Sequence, residues 1–340
     1  MKTRRERSRL AMSTLPAFIA TGLLGLALPA AATAATQTLV IEPDQGLTSI
    51  YNLINSAKST IDMTMYELVD TTAQTDLCNA AARGVTVRVI LDVNSEKSNN
   101  TTAYNQLKSC GVNVVWAWTK YAVTHQKTIT VDAATSNAQT AIMTLNLTSR
   151  YYSTTRDFAV IENDANDIAA IEATFAKDFA HATITPPDGD DLVWSPTNSQ
   201  SSLLAIINNA QTSLLVENEE MSDSAVVEAL ENAAENGVNV TVVMTNDDND
   251  YASEFDELAE AGVNIATYPD TSTALYIHAK AIVADYGSAR QVAFVGSENF
   301  SSASLTENRE LGLTTTNSSI LAQLESTIGS DYSGGTPWSD

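Results

Sequence analysis

Hydrophobic and polar positions alternate along this chain in a pattern that predicts α/β units. Segment 39–41 has the spacing of a short strand, and segment 47–58 has apolar residues at helical intervals. A second helix is predicted over 73–83, because Gly84 ends it before the apolar strand 85–91. Strands that alternate with helices in this order indicate a mainly parallel sheet whose faces are covered by helices.

The second half of the chain repeats the first at an offset of 153 positions. At this offset the sequence LVIEP, which begins at Leu39, falls on LVWSP, which begins at Leu192, and Asp70 falls on Asp223. Self-similarity over most of the length predicts one fold unit that occurs twice. We therefore expect an α/β protein made of two similar lobes.

The domain boundaries follow from this repeat. We expect a leader over 1–34, an N-terminal lobe over 35–185 and a C-terminal lobe over 186–340. The linker at 183–191 contains two prolines and a glycine. Because the linker is short, the two lobes should pack against each other.

Residues 1–34 have the composition of a secretory signal peptide. A cluster of basic residues precedes an apolar run that ends in Ala32-Thr33-Ala34, which matches the cleavage pattern of small residues. An uncleaved membrane anchor is the alternative, but the apolar run is short for a full span. The sequence therefore predicts a secreted or periplasmic protein.

Charge and cysteine content fit an exported protein and bear on its partners. The formal net charge is −23 at pH 7, and loss of the basic leader makes the chain more acidic still. Such a field repels nucleic acid and anionic surfaces in general, although a local basic pocket can persist. The two cysteines, Cys78 and Cys110, favour a disulfide in an oxidising compartment, with two buried free thiols as the alternative.

Two of the three histidines occur in the same frame. Both segments read His, any residue, Lys, four residues, Asp, at His125-Lys127-Asp132 and at His278-Lys280-Asp285. The copies agree again at Thr144-Leu145-Asn146 and Ser297-Glu298-Asn299, and then at Arg156-Asp157 and Arg309-Glu310. Core packing gives no reason to preserve these polar residues at fixed distances, so the doubled set predicts one site built from both halves.

The motif segments themselves read as strands. Apolar and β-branched residues predominate over 123–131 and 276–284. Residues two apart on a strand share a face, so each histidine should point the same way as its lysine. Asp132 and Asp285 are then expected to be structural residues at the ends of their strands.

The two HxKxxxxD motifs, with Gly296-Ser297-x-Asn299 after the second, resemble the phospholipase D superfamily. The resemblance runs from about Leu39 to Tyr332. It implies two lobes that meet at a pseudo-two-fold axis, with both motifs converging on one phosphate. The first copy departs from the pattern at Met143, which stands where the second copy has Gly296.

This resemblance implies nucleophilic catalysis by histidine. His125 would attack phosphorus and His278 would act as general acid and then base, although the symmetric motifs fit the reverse assignment equally well. Asp157 and Glu310 would each orient a histidine. The donors to the phosphate would be Lys127, Lys280, Asn146 and Asn299, supported by Thr144 and Ser297. No cofactor and no metal are expected, because the sequence has no cluster of ligands at metal-binding spacing.

One histidine, one aromatic group and one acidic group lie outside the motifs and have candidate roles. His181 is expected to lie on the surface. The aromatic group Trp116, Trp118 and Tyr121 fits either the mouth of a lipid site or half-buried strand positions. The acidic group Glu217, Glu219 and Glu220 fits either attraction of a cationic headgroup or a solvated strand end.

The predicted reaction is cleavage of a phosphodiester. A phospholipase D that releases a phospholipid headgroup, with or without transfer to another alcohol, fits export and the acidic charge. A metal-independent nuclease would share the catalytic residues, but the sequence lacks a basic groove, so nucleic acid is the disfavoured partner. A binding module without catalysis would have lost a motif histidine or lysine, and neither is lost. We expect a monomer that contacts lipid surfaces peripherally.

Overall fold

The computed structural model describes residues 35–339, and the predicted signal peptide at 1–34 lies outside them. Strands of the first half are β1 (Gln37–Glu42), β2 (Thr60–Met65), β3 (Thr86–Leu91), β4 (Asn113–Trp116), β5 (Thr128–Val131), β6 (Gln139–Met143) and β7 (Thr155–Glu162). Its helices are α1 (Thr48–Ser56), α2 (Thr71–Ala82), α3 (Lys97–Ser109) and α4 (Ala165–Phe179).

The second half repeats this order of elements. Its strands are β8 (Leu192–Ser195), β9 (Ser213–Glu217), β10 (Asn239–Asn246), β11 (Asn264–Pro269), β12 (Tyr276–Ile277), β13 (Ala281–Ala284), β14 (Val292–Gly296), β15 (Glu310–Thr315) and β16 (Thr336–Pro337). Its helices are α5 (Ser199–Asn209), α6 (Ser224–Glu235), α7 (Ala252–Glu260), α8 (Ser302–Thr306) and α9 (Ser318–Gly334).

The two halves form two sheets with the same strand order. The first runs β1-β7-β6-β5-β2-β3-β4, and the second runs β8-β15-β14-β13-β9-β10-β11 with β16 added at its edge. Strand β12 leaves its own half and pairs with β7 of the first sheet. The expectation of two similar α/β lobes is confirmed.

Both sheets are mixed in strand direction. The helix-connected strands β2, β3 and β4 are parallel, as are β9, β10 and β11. Apart from the short parallel pair of β12 and β7, the remaining neighbours are antiparallel, so the helix-connected parallel strands form one side of each sheet. Strands β5, β6 and β7 follow one another without helices between them, and connections of that kind join antiparallel neighbours.

An apolar core lies between the lobes. It includes Phe158 of the first sheet, Trp194 and Leu311 of the second, Ile171 of α4 and Leu324 of α9, all buried. Burial of these large apolar side chains stabilises the contact between the lobes. The lobes therefore pack through a shared core, as the short linker predicts.

Two reciprocal ion pairs cross the junction of the lobes. Arg156 of the first half binds Asp331 of α9, with Nε 2.5 Å from Oδ2. Arg309 of the second half binds Asp178 of α4, with Nε 2.9 Å from Oδ2. Arg156 matches Arg309 in the repeat, and Asp178 matches Asp331. Exchange of the two lobes therefore turns one ion pair into the other, as the expected pseudo-two-fold axis requires.

Other repeated residues fix local structure. Asp70 accepts hydrogen bonds from the backbone of Thr72 and Ala73 and so caps α2, and Asp223 caps α6 in the same way. The first half also contains a disulfide that joins Cys78 of α2 to Cys110 at the end of α3, closing a sequence separation of 32. Within residues 35–339, the helices are all too short or too polar to cross a membrane.

Several carboxyl groups are largely buried. Burial raises the pKa of Glu42 to about 7 and the pKa values of Glu162 and Glu172 to about 8. Burial also raises the pKa values of Glu217 and Glu298 well above the usual value. The folded protein therefore retains protons that the unfolded chain loses.

We predict that the folded protein loses stability as the pH rises from about 5 to about 8. The contribution of these carboxyl groups is fully present below their ordinary pKa of 4.5 and is lost as the pH passes through about 7 and about 8. His125 and Lys127, whose pKa values burial lowers, act in the opposite direction but are outnumbered.

The midpoint of thermal unfolding, measured at constant ionic strength, should be lower at about pH 8 than at about pH 5.5. Glu162→Gln removes one of the buried carboxyl groups, so the unfolding midpoint of this variant should fall less between the two pH values than that of the wild type. A midpoint that rises steadily over the same range would contradict the prediction.

Candidate active site

The two motif histidines lie where the lobes meet, on segments whose backbone pairs with the opposite lobe. The backbone N–H groups of His125 and Gln126 both donate to the carbonyl of Arg309, at 2.9 Å each. The backbone N–H of His278 donates to the carbonyl of Arg156 at 3.2 Å. The main chain of each half therefore positions the histidine of the other.

The prediction of continuous strands through both motifs is wrong at their first residues. Strand β5 begins at Thr128 and β13 at Ala281, directly after the motif lysines. Before these points the backbone pairs with the other lobe, since Thr124 bridges to Arg309 and β12 pairs with β7. A pairing partner in another lobe leaves no trace in local hydrophobic periodicity.

Each histidine binds a carboxylate of the opposite half. Nδ1 of His125 lies 2.8 Å from Oε2 of Glu310, and Nδ1 of His278 lies 2.7 Å from Oδ1 of Asp157. A carboxylate at Nδ1 fixes the proton there and leaves Nε2 free to react. The site thus consists of two oriented imidazoles, and each is completed by both lobes.

Hydroxyl groups hold these carboxylates from behind. Thr144 Oγ1 donates to Oδ1 of Asp157 at 2.5 Å, and Ser304 Oγ donates to Oε1 of Glu310 at 2.7 Å. Ser297 Oγ accepts from the backbone N–H of Leu311 at 3.1 Å. Thr144 and Ser297 are fully buried, and their hydroxyls bind neighbouring protein groups.

Burial dominates the electrostatics of the first motif. It lowers the pKa of His125 in spite of Glu310, and it lowers the pKa of Lys127 to about 7, with Lys280 acting in the same direction. Burial alone would raise the pKa of Glu310, but His125 and Lys127 outweigh it, and the pKa is lowered. Near neutral pH this motif therefore presents a neutral histidine beside an ionised glutamate.

The motif lysines bind the main chain of their own histidines. Lys127 Nζ donates to the carbonyl of His125 at 2.7 Å, and Lys280 Nζ donates to the carbonyl of His278. Both lysines are fully buried. Within the described residues, the Oδ1 atoms of Asn146 and Asn299 are buried without a hydrogen-bond partner. Each motif histidine thus has a buried lysine bound to its own carbonyl.

One acidic residue that the sequence left open enters this group. Glu219 Oε2 accepts from Lys280 Nζ at 2.9 Å and lies 3.6 Å from Nε2 of His278. At the matching position of the first half stands Tyr66, whose ring meets His125 edge-on with centroids 4.6 Å apart. Tyr66 and Glu219 occupy the same position in the two copies, and this difference in residue type is the sequence signal that could have identified both.

The motif aspartates serve the backbone. Asp132 accepts hydrogen bonds from the backbone N–H groups of residues 58–60, and Asp285 does the same for residues 211–213. Burial alone would raise the pKa of Asp285, but these hydrogen bonds lower it to about 2. Each aspartate therefore anchors the start of a neighbouring strand, at a distance from the histidine chemistry.

The remaining candidates lie at the margin of the site. His181 is exposed, and its Nε2 lies 3.0 Å from the carbonyl of Trp116. Trp116 stacks on Tyr104 with centroids 4.3 Å apart, and Tyr121 is buried beneath Arg309. Packing thus accounts for Trp116 and Tyr121. Over residues 35–339, no group of three or more His, Cys, Asp or Glu side chains is placed to hold a metal ion.

Comparison with known families finds the same repeat. The family model described as "Cardiolipin synthase, PLD-like domain" matches residues 50–179 and again residues 203–332. These two matches cover more than half of the chain, and each contains one HxKxxxxD motif. The chain therefore belongs to the phospholipase D superfamily. No curated protein matches the chain in sequence.

Solved structures share this fold at low sequence identity. Phosphatidylserine synthase from Haemophilus influenzae is 12% identical, with a TM-score of 0.68 over 89% of this chain and 87% of its own. Polyphosphate kinase from Porphyromonas gingivalis is 14% identical, with a TM-score of 0.66 over 87% of this chain. The chain spans 50% of the length of that kinase. Nuc, a phospholipase D family member from Salmonella typhimurium, is 21% identical over 44% of this chain and 97% of its own, with a TM-score of 0.39.

We predict that Glu310→Gln and Asp157→Asn each lower kcat on bis(4-nitrophenyl) phosphate by about 10²- to 10⁴-fold. An amide no longer stabilises the histidine cation and does not fix one tautomer. Release of nitrophenol measures the rate, and circular dichroism verifies folding. Asp44→Asn, which alters an exposed carboxylate bound to Arg156, serves as the control. A rate within about threefold of the wild type for either variant would remove the orienting role.

Proposed function

We propose that the protein is an exported phosphodiesterase that hydrolyses the headgroup phosphodiester of a phospholipid through a phosphohistidine intermediate. The observation that carries this proposal is the pair of histidines whose Nδ1 atoms bind Glu310 and Asp157 across the junction of the lobes. This arrangement leaves two Nε2 atoms for the reaction. Both halves belong to one chain, which supports a protein that acts as a monomer.

The reaction proceeds in two displacements at phosphorus. In the first, Nε2 of His125 attacks phosphorus, the bond from phosphorus to the headgroup oxygen breaks, and His278 donates a proton to that oxygen. In the second, water attacks phosphorus, His278 accepts its proton, and the bond from phosphorus to nitrogen breaks. Phosphatidic acid and free His125 result. Lys127 and Lys280 stabilise the charge on the non-bridging oxygens.

Electrostatics support this assignment of roles over the reverse. A nucleophile must present a lone pair, and burial lowers the pKa of His125, which favours its neutral form. His278 faces two carboxylates, Asp157 at Nδ1 and Glu219 at 3.6 Å from Nε2. Negative charge therefore surrounds the ring that has to carry the proton.

Charge and family description support a lipid substrate. The net charge of −23 opposes the approach of a polyanion with many phosphates, whereas a phospholipid presents a single diester to the pocket. The matching family model is described by a phospholipid-forming enzyme, cardiolipin synthase. The same phosphohistidine can transfer its phosphatidyl group to water or to another alcohol, so the acceptor has to be measured.

We predict a covalent intermediate on His125. Brief incubation with a phospholipid labelled in its phosphate, followed by an alkaline quench, should leave label on the protein, because phosphohistidine is lost in acid. His278→Ala should still accumulate label, because loss of the base slows the attack of water on the intermediate, whereas His125→Ala should carry none. Turnover of either variant should fall by about 10³-fold or more. Label on His278 in place of His125 would reverse the roles, and turnover within about tenfold of wild type would exclude the mechanism.

We predict that the protein releases choline from phosphatidylcholine faster than it cleaves DNA or RNA under the same conditions. Salt should affect the lipid reaction weakly, because one diester meets one pocket. Any cleavage of nucleic acid should depend steeply on salt. Vesicles and micelles of phosphatidylcholine, with and without added ethanol, also separate hydrolysis from transfer, since transfer yields phosphatidylethanol. Ready degradation of DNA or RNA without headgroup release at any salt concentration would replace this proposal with a nuclease.

A further inference from the structure

The Glu219 carboxylate lies among the donors of the second motif. Its Oε2 accepts from Lys280 Nζ at 2.9 Å and lies 3.4 Å from Nδ2 of Asn299. The same oxygen is 3.6 Å from Nε2 of His278, and Oε1 accepts from the hydroxyl of Tyr276 at 3.2 Å. One carboxylate oxygen therefore contacts the three groups that would otherwise meet a phosphate oxygen.

The first half has a different arrangement at the matching positions. Tyr66 corresponds to Glu219, and its ring lies 5.2 Å from Nζ of Lys127. The next residue, Glu67, binds Thr148 and Arg150 instead of the motif lysine. The donors of the second motif thus differ from those of the first in that carboxylates occupy them. Glu219 accepts from Lys280, and Glu220 Oε1 accepts from Nδ2 of Asn299 at 2.9 Å.

We propose that Glu219 is an internal ligand of the phosphate-binding donors, that a substrate phosphate displaces it, and that the displaced carboxylate then pairs with a cation on the leaving alcohol. The protein would accordingly select phosphodiesters whose leaving group carries an ammonium. This inference rests on the proposed function in that it places a diester between the two motifs.

Displacement is required by charge. Two anions cannot share the same donors at hydrogen-bond distance without strong repulsion. Protonation does not relieve it, because the charges of His278 and Lys280 outweigh burial and hold the pKa of Glu219 below its usual range. The side chain is 23% exposed, so it borders solvent and has room to turn away from Lys280.

The position of Glu219 determines where its carboxylate lies after displacement. His278 delivers the proton to the leaving oxygen from Nε2, so the leaving alcohol must lie next to that atom. Glu219 is already 3.6 Å from Nε2, and a small rotation keeps it beside the alcohol. An ammonium on that alcohol supplies the partner that the carboxylate loses when it leaves Lys280. An uncharged headgroup supplies none.

The first experiment measures the internal competition without any lipid. Inorganic phosphate is titrated into the wild type and into Glu219→Gln by calorimetry, because the amide keeps the shape of the side chain and removes its charge. The variant should bind phosphate about tenfold more tightly or better. Glu219→Ala provides a second variant with the same expected direction. Asp247→Asn, which removes a nearby charge with no hydrogen bond to the motif residues, should bind as the wild type does.

The second experiment measures selectivity. The ratio of kcat/KM for phosphatidylcholine to that for phosphatidylglycerol is determined for the wild type, Glu219→Gln and Asp247→Asn in mixed micelles of the same detergent. The ratio should favour choline in the wild type and in Asp247→Asn. It should fall by about tenfold in Glu219→Gln, through loss on choline and gain on glycerol.

The outcomes separate this inference from the proposed function. Unchanged or weaker phosphate binding by both Glu219 variants overturns the internal ligand. Tighter phosphate binding with an unchanged lipid ratio overturns the selectivity for a cation. If no lipid is cleaved by the wild type, the proposed function fails, while the phosphate titration still decides whether Glu219 competes for the donors.

Discussion

The site depends on the two histidine–carboxylate contacts that cross between the lobes. Neither half contains a complete pair, since His125 binds Glu310 and His278 binds Asp157. Buried contacts of this kind retain their geometry only if the lobes keep a fixed relative position. The shared apolar core and the two buried arginine–aspartate pairs supply that constraint. The geometry of the site therefore depends on the stability of the junction between the lobes.

The near-symmetry of the lobes leaves small differences to decide the roles of equivalent residues. Both histidines have a carboxylate at Nδ1, and both lysines donate to the carbonyl of their motif histidine. The two copies differ in charge at the aligned position where Tyr66 meets His125 and Glu219 meets Lys280. The tyrosine is uncharged and the glutamate is an anion, so the surroundings of the two motifs differ by one unit of charge. Substitutions between the copies, this one among them, thus make the two halves of the site unequal.

Much of this arrangement could be predicted from the sequence, because repetition marks the residues that matter. The offset of 153 identified the two lobes, both motif histidines and the paired positions Arg156 and Arg309. It did not reveal that carboxylates and arginines act across the junction, because local patterns hold no information on which lobe supplies a partner. The motif strands were predicted too long for the same reason. The antiparallel neighbours were missed for another reason, because the expected parallel sheet followed from helix-linked strands, and β5, β6 and β7 have no helices between them. Glu219 was left open because comparison of the copies emphasises positions that agree.

The departure of the first copy at Met143 has a packing explanation. A Cβ added to Gly296 would overlap Glu298 and Phe294, so glycine is required in the second copy by its own neighbours. At the matching positions the first copy has the smaller Ala141 and the apolar Leu145, which leave space for Met143, and all three are buried. The second copy has the large Phe294 beside Gly296, and the first copy has the small Ala141 beside Met143. Such compensation keeps the core volume nearly constant. The missing glycine is therefore balanced inside the core, and Lys127 still donates to the carbonyl of His125.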